Sequence, residues 1–168
     1  MDEVTLPLPE EYLCYGLGRS YGDSCLNSTG TLIDTTGLSK IIHFNPESGL
    51  LRCEVGLSIA ELLKEYMPRG WFVPVTPGTK FITIGGAIAN DIHGKNHHRA
   101  GNFGNHITQF ELLRSNGDRL ICSRSENSDL FSATIGGLGL TGMITWAEFQ
   151  MKKISSPLIE CENIKFGT

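Results

Sequence analysis

The period of the hydrophobic pattern changes several times along the chain, and each change marks an element. Tyr12 to Tyr15, Thr31 to Asp34, Ile41 to Phe44 and Leu50 to Val55 are apolar, β-branched or aromatic runs of strand length. Asn45-Pro-Glu-Ser-Gly49 separates the third run from the fourth and predicts a turn, hence a hairpin. The period then becomes helical. Ser58 and Glu61 have the spacing of a capping box, and Leu57 and Leu62 that of a hydrophobic staple. Leu62, Leu63 and Tyr66 continue the stripe until Pro68 and Gly70 end it. Trp71 to Val75 reads as a strand and Gly85 to Asn90, small and apolar, as a short buried helix. Ile107 to Arg114 and Arg119 to Ser123 flank Asn116-Gly117 and predict a second hairpin. Asn127 to Ile135 is helical, and Gly142 to Met151 alternates like a strand. Short strands with two or three helices, no regular βαβ alternation and no repeat predict an α+β fold.

Composition narrows the function. The chain has 168 residues, a length for one domain, and a net charge of −4. With no basic run of five or more, a nucleic-acid partner or a polybasic membrane patch is not expected. Apolar residues make up 40% and charged residues 19%, a balance that folds rather than stays disordered. No apolar stretch is long enough for a transmembrane helix, and the acidic opening lacks the apolar region of a signal peptide. Cys14, Cys25, Cys53, Cys122 and Cys161 are odd in number and contain no C-x-x-C pair, so reduced thiols in a cytoplasmic protein are expected. His93, His97 and His98 lie close to Asp91, but Gly94 and Asn96 break any helix that would align them, and no metal site is expected. His43 reads as a strand surface residue and His106 as a loop residue. No G-x-S-x-G elbow supports a serine nucleophile.

Glycine is the outlier, 20 residues gathered into loops. The first loop is Gly16-Leu17-Gly18-Arg19-Ser20-Tyr21-Gly22-Asp23. Its glycines allow backbone N–H groups to converge on an anion, Arg19 adds a cation and Ser20 a hydroxyl, a set that suits a pyrophosphate. The same residues would also make a tight turn with a solvent-exposed arginine. The second comprises Pro77-Gly78-Thr79 and Thr83-Ile84-Gly85-Gly86, followed by small residues to Asn90. It would let a flat or phosphate-bearing ligand approach the backbone, or a helix pack closely on a strand. The third, Gly136 to Gly142, spells G-x-G-x-x-G. A helical segment precedes it and a strand follows, the reverse of a dinucleotide fingerprint, so it reads as a loop passing close to a ligand or to another backbone.

Taken in order, Gly16 to Asp23, Val73 to Thr79, Thr83 to His98 and Gly101 to His106 resemble the FAD-binding (PCMH-type) domain of vanillyl-alcohol-oxidase flavoproteins, and within it the decaprenylphosphoryl-ribose oxidase group. Leu130 to Gly137 and Leu140 to Ile144 fit as well, so the resemblance covers about residues 13 to 152. It implies two α+β subdomains, residues 1–75 and 76–168, with FAD between them and no linker. It assigns Gly16, Leu17, Gly18, Arg19, Ser20, Tyr21, Gly22 and Asp23 to the pyrophosphate. Pro77, Gly78, Thr79, Thr83, Ile84, Gly85 and Gly86 fall to the diphosphate and ribityl region. Asn90, Asp91, Ile92, His93 and Gly94 run along the isoalloxazine, and Ile144 meets the adenine end. His93 is the candidate catalytic residue, placed to orient substrate or tune the flavin. Relatives that bind FAD covalently through the first loop have a histidine where Arg19 stands, so FAD is expected to be non-covalent. The implied reaction is oxidation of a sugar or polyol hydroxyl, on a small and in this group lipid-linked substrate, with hydride passing to flavin N5. Family members extend further on both sides and carry a substrate domain. The chain therefore reads as a fragment that needs a C-terminal portion or second polypeptide, or else as an inert flavin-binding remnant.

Overall fold

A computed structural model describes residues 8, 9 and 11–167. The acidic opening read above falls largely outside them. The fold is α+β and is centred on a five-stranded antiparallel sheet in the order β3 (Ile41–Phe44), β4 (Leu50–Glu54), β8 (Met143–Gln150), β6 (Ile107–Leu113), β7 (Arg119–Ser123). It takes strands from both sides of residue 75. β1 (Tyr12–Tyr15) and β2 (Thr31–Asp34) form a separate two-stranded sheet and run parallel, so the first glycine loop lies within a parallel crossover that the pattern alone did not reveal. The remaining pair is β5 (Trp71–Phe72) with β9 (Lys152–Lys153). β5 is shorter than the apolar run to Val75 suggested. Pro74 supplies no backbone donor, and Val73 to Val75 continue as buried chain outside any ladder.

The described residues form four α-helices: α1 (Ile59–Tyr66), α2 (Ile84–Ala89), α3 (His97–Ala100) and α4 (Ser128–Thr134). α1 begins as its sequence directs. Glu61 N donates to Ser58 Oγ at 3.2 Å and Ser58 N donates to Glu61 Oε2 at 2.8 Å, a closed capping box. Its apolar stripe is buried at Ile59, Leu62 and Tyr66, and a 3-10 turn over Met67–Arg69 ends at Gly70 with φ +81°. Phe44 packs against Tyr66 and Trp71 with ring centroids 4.6 and 5.9 Å apart. On the same side of the sheet, Phe103, Phe110 and Phe149 are fully buried. The second hairpin turns on three residues, with Gly117 N donating to Arg114 O and only Gly117 of the Asn-Gly pair left-handed, at φ +89°.

β8 is buried along seven of its eight residues and does not alternate between core and solvent as its sequence suggested. One face meets the core. On the other, the Arg52 guanidinium lies 4.5 Å from the centroid of the Trp146 ring and grips Glu148 Oε2 with Nε at 3.1 Å and Nη2 at 2.8 Å. Thr108 Oγ1 and Gln109 Nε2 donate to Glu148 Oε1, each at 2.9 Å. Pairing shifts register where Glu111 faces Trp146 and Leu112 faces Ile144, which leaves Thr145 as an extra residue. That bulge turns Ile144 to the inner side, where it lines a cleft.

Candidate cofactor cleft

The three glycine-rich segments, far apart in sequence, wall one cleft of about 880 Å³. The first loop leaves β1 at Gly16, where an added Cβ would lie 2.5 Å from Thr83 Oγ1, the N-cap of α2. The first and second loops therefore touch, and only a glycine permits it. Thr83 Oγ1 accepts from Gly86 N at 3.1 Å and Asn90 Nδ2 donates to Gly86 O at 2.9 Å, so both ends of α2 are fixed. Gly136 N and Leu138 N donate to Ile88 O and Ala89 O at 3.0 and 2.9 Å, which hangs the third loop on the same helix. α2 is the hub of the cleft, and its Ile84, Ala87 and Ile88 anchor it in the core.

Most residues picked out by sequence line this cleft: Gly16, Leu17, Gly18, Arg19, Ser20, Tyr21, Pro77, Gly78, Thr79, Thr83, Gly85, Gly86, Asn90, Ile92, His93, Gly94 and Ile144. Four do not. Gly22 and Asp23 are exposed beyond its edge, and Ile84 is fully buried beneath it. Asp91 turns away: its carboxylate accepts from Gly104 N at 2.9 Å and from Asn102 Nδ2 at 3.0 Å, tying the end of α2 to the 101–106 segment. Sequence reasoning missed Thr35, Val55, Thr76, Ile82, Lys95 and His97, along with Cys14 and Cys25. Thr35 and Val55 follow directly after strands, and only the meeting of two sheets puts them at one site. Gly139 and Gly142 also line the cleft, as the loop reading allowed.

The electrostatics of the cleft differ from those of the chain. The chain carries −4 overall, yet no Asp or Glu is among the lining residues, while Arg19 and Lys95 are. Arg19 Nη1 donates to Leu17 O at 2.9 Å and makes no ion pair among the described residues. His93 lies edge-on to His97, with centroids 5.9 Å apart, and His97 Nδ1 is 2.9 Å from Gly94 O. Burial pushes the Cys14 thiol up to about 12, so it is a neutral lining group. Size, glycine approach, cationic lining and apolar floor fit a dinucleotide with a flat ring at each end. The matching family is the FAD binding domain, which aligns with residues 10–123.

The chain belongs to that family. It is 49% identical over 137 residues to decaprenylphosphoryl-beta-D-ribose oxidase of Mycolicibacterium smegmatis, covering 81% of this chain and 30% of that protein. It is 30% identical over 114 residues to Delta(24)-sterol reductase of Rattus norvegicus, covering 68% of this chain and 22% of that protein. To D-lactate dehydrogenase of Anaerostipes hadrus it is 25% identical over 133 residues, or 76% of this chain and 28% of that protein. The chain thus spans less than a third of each relative. It is an FAD-binding domain. No helix among the described residues is long and apolar enough to cross a membrane.

Proposed function

We propose that this FAD-binding domain holds FAD non-covalently for an enzyme that oxidises the CH–OH of a sugar or polyol. The observation that carries the reading is the convergence of three glycine-rich segments on one cleft lined by cations and no carboxylate. The first loop, with Arg19 and Ser20, would hold the diphosphate through backbone N–H groups and one guanidinium. Gly78, Thr79 and Thr83 to Gly86 would meet the ribityl chain, and Asn90 to Gly94 the isoalloxazine. Bound FAD supplies the hydride acceptor. The chain's own part is to fix that ring against α2 and the third loop, to keep water from one face with Val55, Ile82 and Ile92, and to present His93 at the cleft edge, where it orients the substrate hydroxyl. Arg19, rather than a histidine or cysteine, occupies the first loop, which supports non-covalent attachment. The flavin would lie between the β1–β2 sheet and the five-stranded sheet, a division set by the sheets rather than by residue 75.

The substrate follows from the relative that acts on decaprenylphosphoryl ribose: a lipid-linked sugar is the substrate class for the whole protein, whose further portion would complete the substrate site. The five free cysteines support a cytoplasmic setting. Titration of the chain with FAD, followed by flavin absorbance and fluorescence, tests the reading. Saturable binding with a perturbed spectrum is expected, as is release of all flavin on acid denaturation. Absence of binding, or flavin retained on the denatured chain, would count against it.

A further inference from the structure

The end of α2 is closed by a residue that its backbone position does not favour. Asp91 N donates to Ile88 O at 3.0 Å and Ile92 N to Ala87 O at 3.1 Å, the paired bonds of a Schellman motif. Such a motif needs a left-handed residue at the place Asp91 fills, and glycine usually supplies it. Asp91 takes φ +40° as an aspartate. Its negative charge also lies at a helix C-terminus, the end that favours cations. Neither the turn nor the helix selects a carboxylate here, so what selects it lies across the chain.

The carboxylate reaches the 101–106 segment, where it accepts from Gly104 N at 2.9 Å and from Asn102 Nδ2 at 3.0 Å. A Cβ on Gly104 would lie 2.8 Å from Asp91 Oδ1, so this approach needs a glycine on the far side. Beside it Phe103 N donates to Ile92 O at 2.9 Å, and the Phe103 side chain is fully buried. The turn after α2 is thereby tied to the core, and His93 follows it directly. Beyond His93 the chain is pinned again. A Cβ on Gly94 would lie 2.4 Å from Thr76 O, Asn96 Nδ2 donates to Pro74 O at 3.1 Å, and His97 N donates to Gly94 O at 3.1 Å. The His93 ring makes no hydrogen bond among the described residues and stands at the cleft with His97 edge-on. The backbone is held on both sides of a ring that is itself free to meet a ligand.

We propose that Asp91 is a positioning residue for His93: its carboxylate holds the left-handed turn against Gly104 and Asn102, and the turn sets where the His93 ring stands. The inference rests on the FAD reading above, in which that ring meets the substrate beside the flavin. Asp91→Gly accepts the same backbone and removes the carboxylate, whereas Asp91→Asn tolerates the turn and keeps an acceptor for Gly104 N. NMR of the ligand-free chain at fixed pH follows the Cε1–H resonance of His93, assigned with His93→Gln, with His43 on β3 as the control. In Asp91→Gly the His93 resonance should move toward that of an unfolded-chain histidine while His43 stays, and Asp91→Asn should keep both near their wild-type positions. An unmoved His93 resonance in Asp91→Gly would overturn the inference. So would displacement of both histidines, which would make Asp91 a residue of the fold at large. With FAD bound, Asp91→Gly should shift the flavin absorbance bands, and the same change in a His93→Gln background should add no shift. A full shift there would overturn the route through His93. A wild-type chain that binds no FAD would instead overturn the FAD reading, and this inference with it, whatever the resonances show.

Discussion

The two walls of the cleft are built differently. The wall formed by α2, β4 and β8 stands on a continuous core in which Leu51, Phe103, Phe110, Phe149 and Ile88 are fully buried. The opposite wall, the first loop between β1 and β2, rests on a small cluster of Leu8, Leu113 and Met143, with Leu32 exposed on β2 and Tyr21 exposed at the tip. The first wall is held by its own packing. The second has few buried contacts, so a bound diphosphate would do for it what side-chain packing does for the other. A well-packed floor therefore backs the site, and a lightly packed loop faces it.

The largest effect expected is on the floor. Phe149→Ala should cost about 3–5 kcal/mol, because its fully buried ring packs on Phe103 at a 5.3 Å centroid distance. Denaturant unfolding measures it, and a loss under 1 kcal/mol would mean the floor is not the stable wall. Arg19→Ala should leave unfolding in the absence of ligand nearly unchanged and weaken FAD by roughly 1.5–3 kcal/mol. The reverse outcome, lower stability with intact affinity, would make the loop arginine structural and erase the distinction between the walls.

Glu148 gives a pH test confined to the floor. Burial alone would raise its carboxyl, but hydrogen bonds from Gln109, Thr108 and Arg52, together with the Arg52 charge, hold it below its ordinary value. The folded form thus favours the ionised carboxylate. That stabilisation is present above the unfolded carboxyl pKa, about 4.3, and is lost as pH falls through the lowered folded value. Glu148→Gln should cost roughly 1–3 kcal/mol near neutral pH and should flatten the acid limb of a melting-temperature profile. An acid limb as steep in the variant as in wild type would exclude Glu148 as its source. The smallest effect belongs to the capping box. Ser58→Ala should cost about 1 kcal/mol, with FAD affinity unchanged, since Ser58 is not among the cleft-lining residues. A change in affinity would show that the start of α1 is coupled to the cleft through the Ser58–Thr83 bridge.

How much could be read beforehand depended on the range of the interaction. α1 was legible because its cap, staple and stop act within a few residues, and both hairpins were legible because Asn45 to Gly49 and Asn116-Gly117 carry their turn chemistry locally. The order of the glycine segments pointed to FAD through the family resemblance it carries, while each segment alone left a tight turn or close packing open. Tertiary structure alone decided that β1 and β2 run parallel, that β8 is covered on both faces, and that Thr145 bulges to aim Ile144 inward. It also turned Asp91 from the cleft to Gly104 and put a leucine where the backbone asks for glycine. Those outcomes depend on which distant strand or loop supplies the partner for a given hydrogen bond. A carboxylate that could face either a ligand or a backbone N–H takes whichever the fold brings within 3 Å, and no periodicity along the chain records that choice.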